Sequence, residues 1–124
     1  MTEAEAKIKH DIIVEIRGLE ESYKVLASFI SGSDYDPIAI GTSMQTYKDS
    51  LSRASAYVLA LYNLRGQRVN IPWEQLFNNL DYAIKTLSAS ATLTQRDAVR
   101  AVLAMSREQM AQVMSYFAAL KKSL

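Results

Sequence analysis

The sequence predicts an all-α protein, a single domain over residues 1–124 that folds as an up-down-up-down four-helix bundle. Apolar residues recur at intervals of three and four along four segments, so each segment presents one apolar face when it is helical. Short connections separate these segments, and short connections make consecutive helices antiparallel neighbours. No segment alternates as a half-buried strand would, and 124 residues with 49% hydrophobic content suffice for one core.

The first helix is predicted to run from about Thr2 to Ser31. Thr2 and Glu5 have the spacing of an N-terminal capping box, and Gly32 stands where a left-handed residue ends many helices. At 100° per residue its repeating apolar positions fall on one face, which we expect to enter the core. These positions are Ile8, Ile12, Ile16, Leu19, Tyr23, Leu26 and Ile30.

A loop is predicted between the first two helices, over residues 33–41. Pro37 disfavours helical geometry at the preceding residue, Asp36. Ile38 and Ile40 are apolar, and we expect them to plug one end of the bundle.

The second helix is predicted to begin with a cap at Thr42 or Ser43 and to end at Gly66. One of its faces repeats apolar residues at helical spacing and should be buried. The residues on this face are Met44, Tyr47, Leu51, Ala54, Val58, Leu61 and Tyr62.

The third helix is predicted to hold Pro72 in its first turn, where the missing N–H of proline costs nothing. It is the shortest of the four and leads into a loop of small residues over 88–93. Its predicted buried residues are Trp73, Leu76, Phe77, Leu80, Ala83, Ile84 and Leu87.

The fourth helix is predicted to begin at Thr94, which with Asp97 repeats the capping-box spacing, and to end at about Lys122. Lys121 and Lys122 complement the negative end of its dipole. Its predicted core positions are Val99, Val102, Met110, Val113, Phe117 and Leu120.

Composition and segment lengths favour a cytoplasmic protein. The chain has no cysteine, which excludes disulfides, thiolate metal sites and cysteine nucleophiles. The acidic, polar first residues lack the basic and apolar regions of a signal peptide. The longest apolar run, residues 56–62, is far too short to span a membrane.

No catalytic motif is evident, so we expect a protein that is not an enzyme and has no cofactor, metal or small-molecule substrate. His10 is the sole histidine, lies off the apolar face, and belongs to no Glu-x-x-His pair. The glycines are isolated, so there is no phosphate-binding loop. Asp34 and Asp36 lack the other ligands of a calcium loop.

Charge is divided unequally between the two halves of the chain. Residues 1–62 hold six basic and nine acidic residues, a net of −3, whereas residues 63–124 hold eight basic and four acidic residues, a net of +4. Such a dipolar molecule can stack head to tail or turn its basic side to an anionic partner. The alternative is a chance division on a solvated surface.

A basic row on the fourth helix is the candidate site for RNA or single-stranded nucleic acid. Arg96, Arg100, Arg107 and Lys121 lie within a narrow sector of the helix, and Arg96 and Arg107 are roughly 16 Å apart at 1.5 Å per residue. The alternative is a solvated rim whose alkyl stems cover the edge of the core. Further candidate contacts are Lys122, Arg65 and Arg68.

A second apolar row on the first helix is the candidate protein interface. Val14, Gly18, Val25 and Phe29 fall on a face displaced from the core face by more than about 100°. A helix in a simple bundle buries one stripe, so this row predicts a partner subunit or self-association. Alternatively, the loop over residues 33–41 folds over it.

Two stretches resemble a known family. Residues 56–66 with Trp73 and Leu76, and residues 107–122, are similar to the small all-helical subunit of type III-B (Cmr-type) CRISPR effector complexes. The resemblance implies a non-catalytic antiviral-defence subunit that stacks in a filament and lines the guide–target duplex with basic residues. Arg107, Lys121 and Lys122 are the basic-row residues inside a matching stretch.

These observations predict a non-enzymatic binding or assembly subunit that lines nucleic acid in a ribonucleoprotein complex. The alternative is a protein-binding bundle that acts through the second apolar row of the first helix. A viral structural protein, an inhibitor, an immunity protein or a chaperone would belong to that class.

Overall fold

A computed structural model of the chain contains the helices α1 (Glu3–Ser31), α2 (Pro37–Leu64), α3 (Glu74–Ala89) and α4 (Leu93–Ser123). It describes residues 2–31, 37–69, 73–89 and 93–124, without the side chains of residues 30, 31, 37, 38, 83, 86–89, 93–100, 102, 103, 105 and 106. Every regular element in this part of the chain is an α-helix, which confirms the predicted all-α class.

The contacts between α1 and α2 show that these helices are antiparallel. Arg53 Nε donates to Glu15 Oε1 at 2.7 Å, and Arg65 Nε donates to Glu5 Oε1 at 2.8 Å. Residue numbers therefore rise along α2 as they fall along α1, as a short connection between neighbouring helices requires.

The other neighbouring helices are antiparallel as well, and α1 and α4 close the ring. Lys48 of α2 pairs with Asp81 of α3, whereas Ser55 further along α2 meets Trp73 at the start of α3. Asn79 of α3 contacts Gln109 of α4, whereas Trp73 before α3 contacts Tyr116 further along α4, so these helices are antiparallel too. Each helix contacts the two beside it, including α1 with α4. The predicted up-down-up-down bundle is confirmed.

The predicted core is confirmed wherever the structure describes its side chains. Removal of each large apolar side chain from water contributes about 1.5–3 kcal/mol. The buried members of the predicted faces are Ile12, Ile16, Leu19, Leu26, Met44, Tyr47, Leu51, Ala54, Val58, Leu61, Trp73, Leu76, Leu80, Met110, Val113, Phe117 and Leu120. Partly buried against them are Ile8, Tyr23, Tyr62, Phe77 and Ile84. Outside the described side chains are Ile30, Ala83, Leu87, Val99 and Val102.

Two of the predicted helix ends are formed by the expected residues. The N–H of Glu5 donates to Thr2 Oγ1 at 3.2 Å, so Thr2 caps α1. Beyond α2, Gly66 has a φ of 66° and its N–H donates to the Asn63 carbonyl at 3.1 Å. The N–H of Gln67 donates to the Tyr62 carbonyl at 2.8 Å, which completes a Schellman motif. Gly32 lies outside the described residues.

The predicted start of α2 was wrong by nearly two turns. α2 begins at Pro37, so residues 37–41 are helical and not part of a loop. Proline restricts the residue before it but suits the first position of a helix, because no partner is needed there for its missing N–H. Ile40 is 2% exposed, and burial of this side chain stabilises the additional first turns of α2. The side chain of Ile38 is outside the description.

The starts of α3 and α4 differ slightly from the prediction. The Trp73 carbonyl accepts the N–H of Phe77 at 3.2 Å, so Trp73 is the N-terminal cap and α3 begins at Glu74. Pro72 lies outside the described residues. α4 begins at Leu93, one residue before Thr94, and the side chain of Thr94 lies outside the description.

Tyr47 predicts a loss of stability at alkaline pH. Its side chain is fully buried, and this burial raises the pKa of the phenol above its ordinary value of about 10. In the unfolded chain the Tyr47 phenol ionises near pH 10, whereas in the folded protein it stays protonated at that pH. The contribution of this group to the free energy of unfolding is therefore complete below pH 10 and decreases as the pH rises above it.

The measurement is urea denaturation from about pH 8 to about pH 11. We expect Tyr47→Phe to flatten the alkaline fall, because it removes the ionisable group from the core. Tyr82→Phe, at a tyrosine that is 59% exposed, should retain the wild-type slope. Equal slopes in all three proteins would contradict this account.

Candidate binding surfaces

The last helix carries more positive charge than the rest of the chain. Between Leu93 and Ser123 there are five basic and two acidic residues, a net of +3 in a chain of net +1. Arg107 and Lys122 are exposed, and neither forms an ion pair with a described residue. Arg96 and Arg100 lie in the helical backbone of α4, with side chains outside the description.

The remaining predicted basic contacts differ in their availability. Arg65 is engaged by Glu5, and this hydrogen bond lowers the pKa of the Glu5 carboxyl. Lys121 Nζ lies 3.8 Å from Glu20 Oε1, a long and exposed pair that contributes little. Arg68 is exposed and makes no ion pair within the described part of the chain. Arg68 is therefore more available than Arg65.

Ion pairs inside the bundle match part of the opposite net charge of the two halves of the chain. Glu5, Glu15 and Glu20 of α1 face Arg65, Arg53 and Lys121 in turn. Two of these three cations belong to the basic second half of the chain. Some of the charge that seemed available for stacking between molecules is therefore matched inside the bundle.

The second apolar row of α1 divides into two engaged and two exposed members. An added Cβ at Gly18 would lie 3.3 Å from Ser50 Oγ, so Gly18 faces α2 where the two helices approach closely. Phe29 is partly buried against the core. Val14 and Val25 are 53% and 42% exposed, roughly 16 Å apart along the axis. Only these two residues of the row remain open to a partner.

A groove that sequence reasoning missed lies between α3 and α4. Its volume is about 280 Å³. Its floor is buried or partly buried and apolar, whereas its rim is formed by glutamine side chains. The lining residues are Trp73, Gln75, Leu76, Gln109, Gln112, Val113 and Tyr116, and none of them is charged.

Aromatic packing fixes the floor of this α3–α4 groove. The Trp73 ring lies 5.4 Å from the Tyr116 ring at 68° and 5.6 Å from the Phe117 ring at 44°, both between ring centroids. Trp73 Nε1 donates to Ser55 Oγ at 2.9 Å, and Ser55 Oγ donates to the Leu51 carbonyl at 2.8 Å. The indole is therefore held by α2 as well as by α4.

The Tyr116 hydroxyl is the one buried side-chain polar atom without a hydrogen-bond partner in the described part of the chain. Burial raises the pKa of Tyr116, and the nearby Tyr62 phenol adds to this effect. An unpartnered buried hydroxyl is a cost to folding of about 1–3 kcal/mol. The aromatic floor of the groove is thus retained despite this penalty.

The signal for the groove was present in the sequence but not distinctive. Gln109, Gln112 and Tyr116 recur at helical spacing beside the core face of α4, and Gln75 does so in α3. Any solvated flank of a helix shows the same pattern. Only the pairing of the two flanks across the α3–α4 seam makes a concave surface.

The described residues contain neither a metal-binding cluster nor a membrane-spanning helix. His10 is exposed, and no group of three or more histidine, cysteine, aspartate or glutamate residues could hold a metal ion there. The predicted turn residues Asp34 and Asp36 lie outside the description. No helix in the described part combines the length and apolar character that crossing a bilayer requires.

The fold and surfaces define this chain as an all-α four-helix bundle with candidate binding faces. Comparison with protein-family models, with curated proteins and with solved structures finds no match. The resemblance to the small Cmr-type subunit therefore stays a prediction.

Ser55→Ala should destabilise the protein by about 1–3 kcal/mol, because it leaves the buried Trp73 N–H without an acceptor. Trp73 is the only tryptophan, so its fluorescence reports urea denaturation directly. Ser52→Ala, at an exposed position of the same helix, should change stability by less than about 0.5 kcal/mol. If both variants unfold at the same urea concentration, Ser55 does not anchor the indole.

Proposed function

We propose that this protein is a non-enzymatic binding module that contacts single-stranded nucleic acid through the basic edge of α4. This edge is defined by Arg96, Arg100, Arg107, Lys121 and Lys122. The observation that carries the proposal is the net charge of +3 on α4, with Arg107 and Lys122 exposed and outside the ion pairs of the described residues. Neutralisation of phosphates by such cations drives most non-specific binding of nucleic acids.

The spacing of the arginines supports a strand as the ligand. Arg96 and Arg107 are roughly 16 Å apart along the helix axis, which is room for two or three successive phosphates of a single strand at about 6 Å each. The guanidinium group suits this role because its planar donors bind phosphate oxygens in pairs. The resemblance of residues 107–122 to the Cmr-type subunit would make the module part of a ribonucleoprotein assembly. A cytoplasmic location belongs to this proposal and is favoured by the cysteine-free composition.

Removal of three arginines should weaken binding and its salt dependence together. We expect Arg96/Arg100/Arg107→Gln to lower the affinity for a labelled oligothymidylate. The slope of log K against log salt should become shallower by about 2, because each lost phosphate contact contributes about 0.7 for a single strand. Fluorescence anisotropy at several salt concentrations measures both quantities.

A charge-matched variant separates this edge from net charge. Lys7/Arg17/Lys24→Gln removes three exposed cations from α1 and changes the net charge by the same amount. The control should retain the wild-type slope. The proposal fails if wild-type protein does not bind at low salt, or if both triple variants weaken binding equally.

A second candidate function, protein binding through α1, is favoured by one observation. Val14 and Val25 remain exposed on a helix whose core face is already buried in the bundle. α1 also has four basic and six acidic residues, a net of −2, so it suits a partner with a neutral or basic surface. The partner is a second copy of this chain or another subunit.

Substitution of the two valines should disrupt such a contact. We expect Val14→Glu/Val25→Glu to reduce the mass that light scattering measures for wild-type protein, or to abolish capture of a partner that wild-type protein retains. Leu59→Glu/Leu64→Glu, at two apolar residues of α2 that are 40% and 56% exposed, is the matched control. Circular dichroism checks that each variant is folded. An unchanged mass together with unchanged capture would exclude this surface.

A further inference from the structure

We infer that the α3–α4 groove binds an uncharged peptide segment of a partner protein, with one large apolar or aromatic side chain as its anchor. This inference is independent of the proposed function, because the groove and the basic edge lie on opposite sides of α4. Tyr116 and Arg107 are nine residues apart, which corresponds to about 180° around the helix.

The floor of the groove suits one large apolar side chain. Trp73, Leu76 and Val113 are buried beneath the opening, and Tyr116 packs beside Trp73. The volume of the groove is about 280 Å³. Release of water from its apolar lining favours occupation by an apolar group, and the neighbouring Trp73 and Tyr116 rings favour an aromatic one.

The rim presents a donor and an acceptor that fit a peptide group. Gln75 Nε2 donates to Asn79 Oδ1 at 3.1 Å, and Asn79 Nδ2 donates to Gln109 Oε1 at 3.3 Å. These bonds leave Gln75 Oε1 as an acceptor on the α3 side and Gln109 Nε2 as a donor on the α4 side. A peptide group brings one N–H and one carbonyl, which these two atoms complement.

The uncharged lining of the groove disfavours charged ligands. The lining residues hold no cation for a phosphate or carboxylate and no anion for an ammonium group. A charged ligand would lose its water of hydration here without gaining an opposite charge. Neutral amide groups on both sides therefore select an uncharged segment of main chain.

The test uses capped tripeptides and the full-length protein. The acetyl-Gly-Phe-Gly-amide and acetyl-Gly-Leu-Gly-amide peptides should shift the Trp73 indole N–H and the backbone amide signals of the lining residues in two-dimensional NMR spectra. Affinities of these short probes should be about millimolar. The peptides with Glu, Lys or Gly in the central position should bind at least about tenfold more weakly.

A conservative variant tests the rim. Gln109→Glu keeps the Oε1 acceptor for Asn79 and replaces the free donor by an oxygen, so binding of the Phe peptide should weaken about fivefold. Gln67→Glu, at an exposed residue outside the groove, adds the same charge and should leave binding unchanged. If Gln109→Glu is unfolded by circular dichroism, Gln75→Met, which removes the acceptor from the exposed α3 side of the rim, tests the other half of the pair and should also weaken binding of the Phe peptide.

Three outcomes would overturn the inference. The first is the absence of shifts at the groove with the Phe and Leu peptides, or equal shifts with all five peptides. The second is a concentration-dependent shift of the same signals without peptide, which would indicate self-association. The third is a stronger shift of these signals by oligothymidylate. Binding of oligothymidylate at the basic edge alone would leave the groove signals in place and would support the proposed function separately.

Discussion

The structure depends on burial of one apolar face from each of four helices in a shared interior. Tyr47 and Phe117 are the largest fully buried side chains among the described residues. They lie in this interior together with branched aliphatic side chains from all four helices. Because each helix contacts two neighbours, the ring of helices is closed. The outer faces of the helices and the seams between them are left as the candidate binding surfaces.

The seams differ because different side chains flank them. Between α1 and α2, Gly18 permits a close approach to Ser50, and ion pairs on Glu5 and Glu15 border the contact. Between α3 and α4 the flanks are aromatic and carboxamide side chains, which are larger and uncharged. The α1–α2 seam is therefore close at Gly18 and bordered by charges, whereas the α3–α4 seam opens into a neutral groove.

The two proposed ligands differ in chemistry because the basic edge of α4 and the α3–α4 groove differ in charge. The basic edge of α4 is suited to phosphates, whose binding depends on salt. The groove is suited to an uncharged segment, whose binding depends on apolar burial and amide hydrogen bonds. Under the proposed function and the further inference, the nucleic acid and the partner segment would occupy opposite sides of α4 and could be bound together.

The sequence by itself determined the helical class, the buried face of each helix and the caps at Thr2 and Gly66, because all of these follow from local spacing. Only the tertiary structure showed that α2 begins as early as Pro37, where burial of Ile40 adds to the suitability of proline for the first helical position. It also decided that Arg65 is taken up by Glu5, and that two ordinary helix flanks meet as a groove. Those outcomes depend on which helices are neighbours and on the register between them. The periodicity of apolar residues along one helix determines neither.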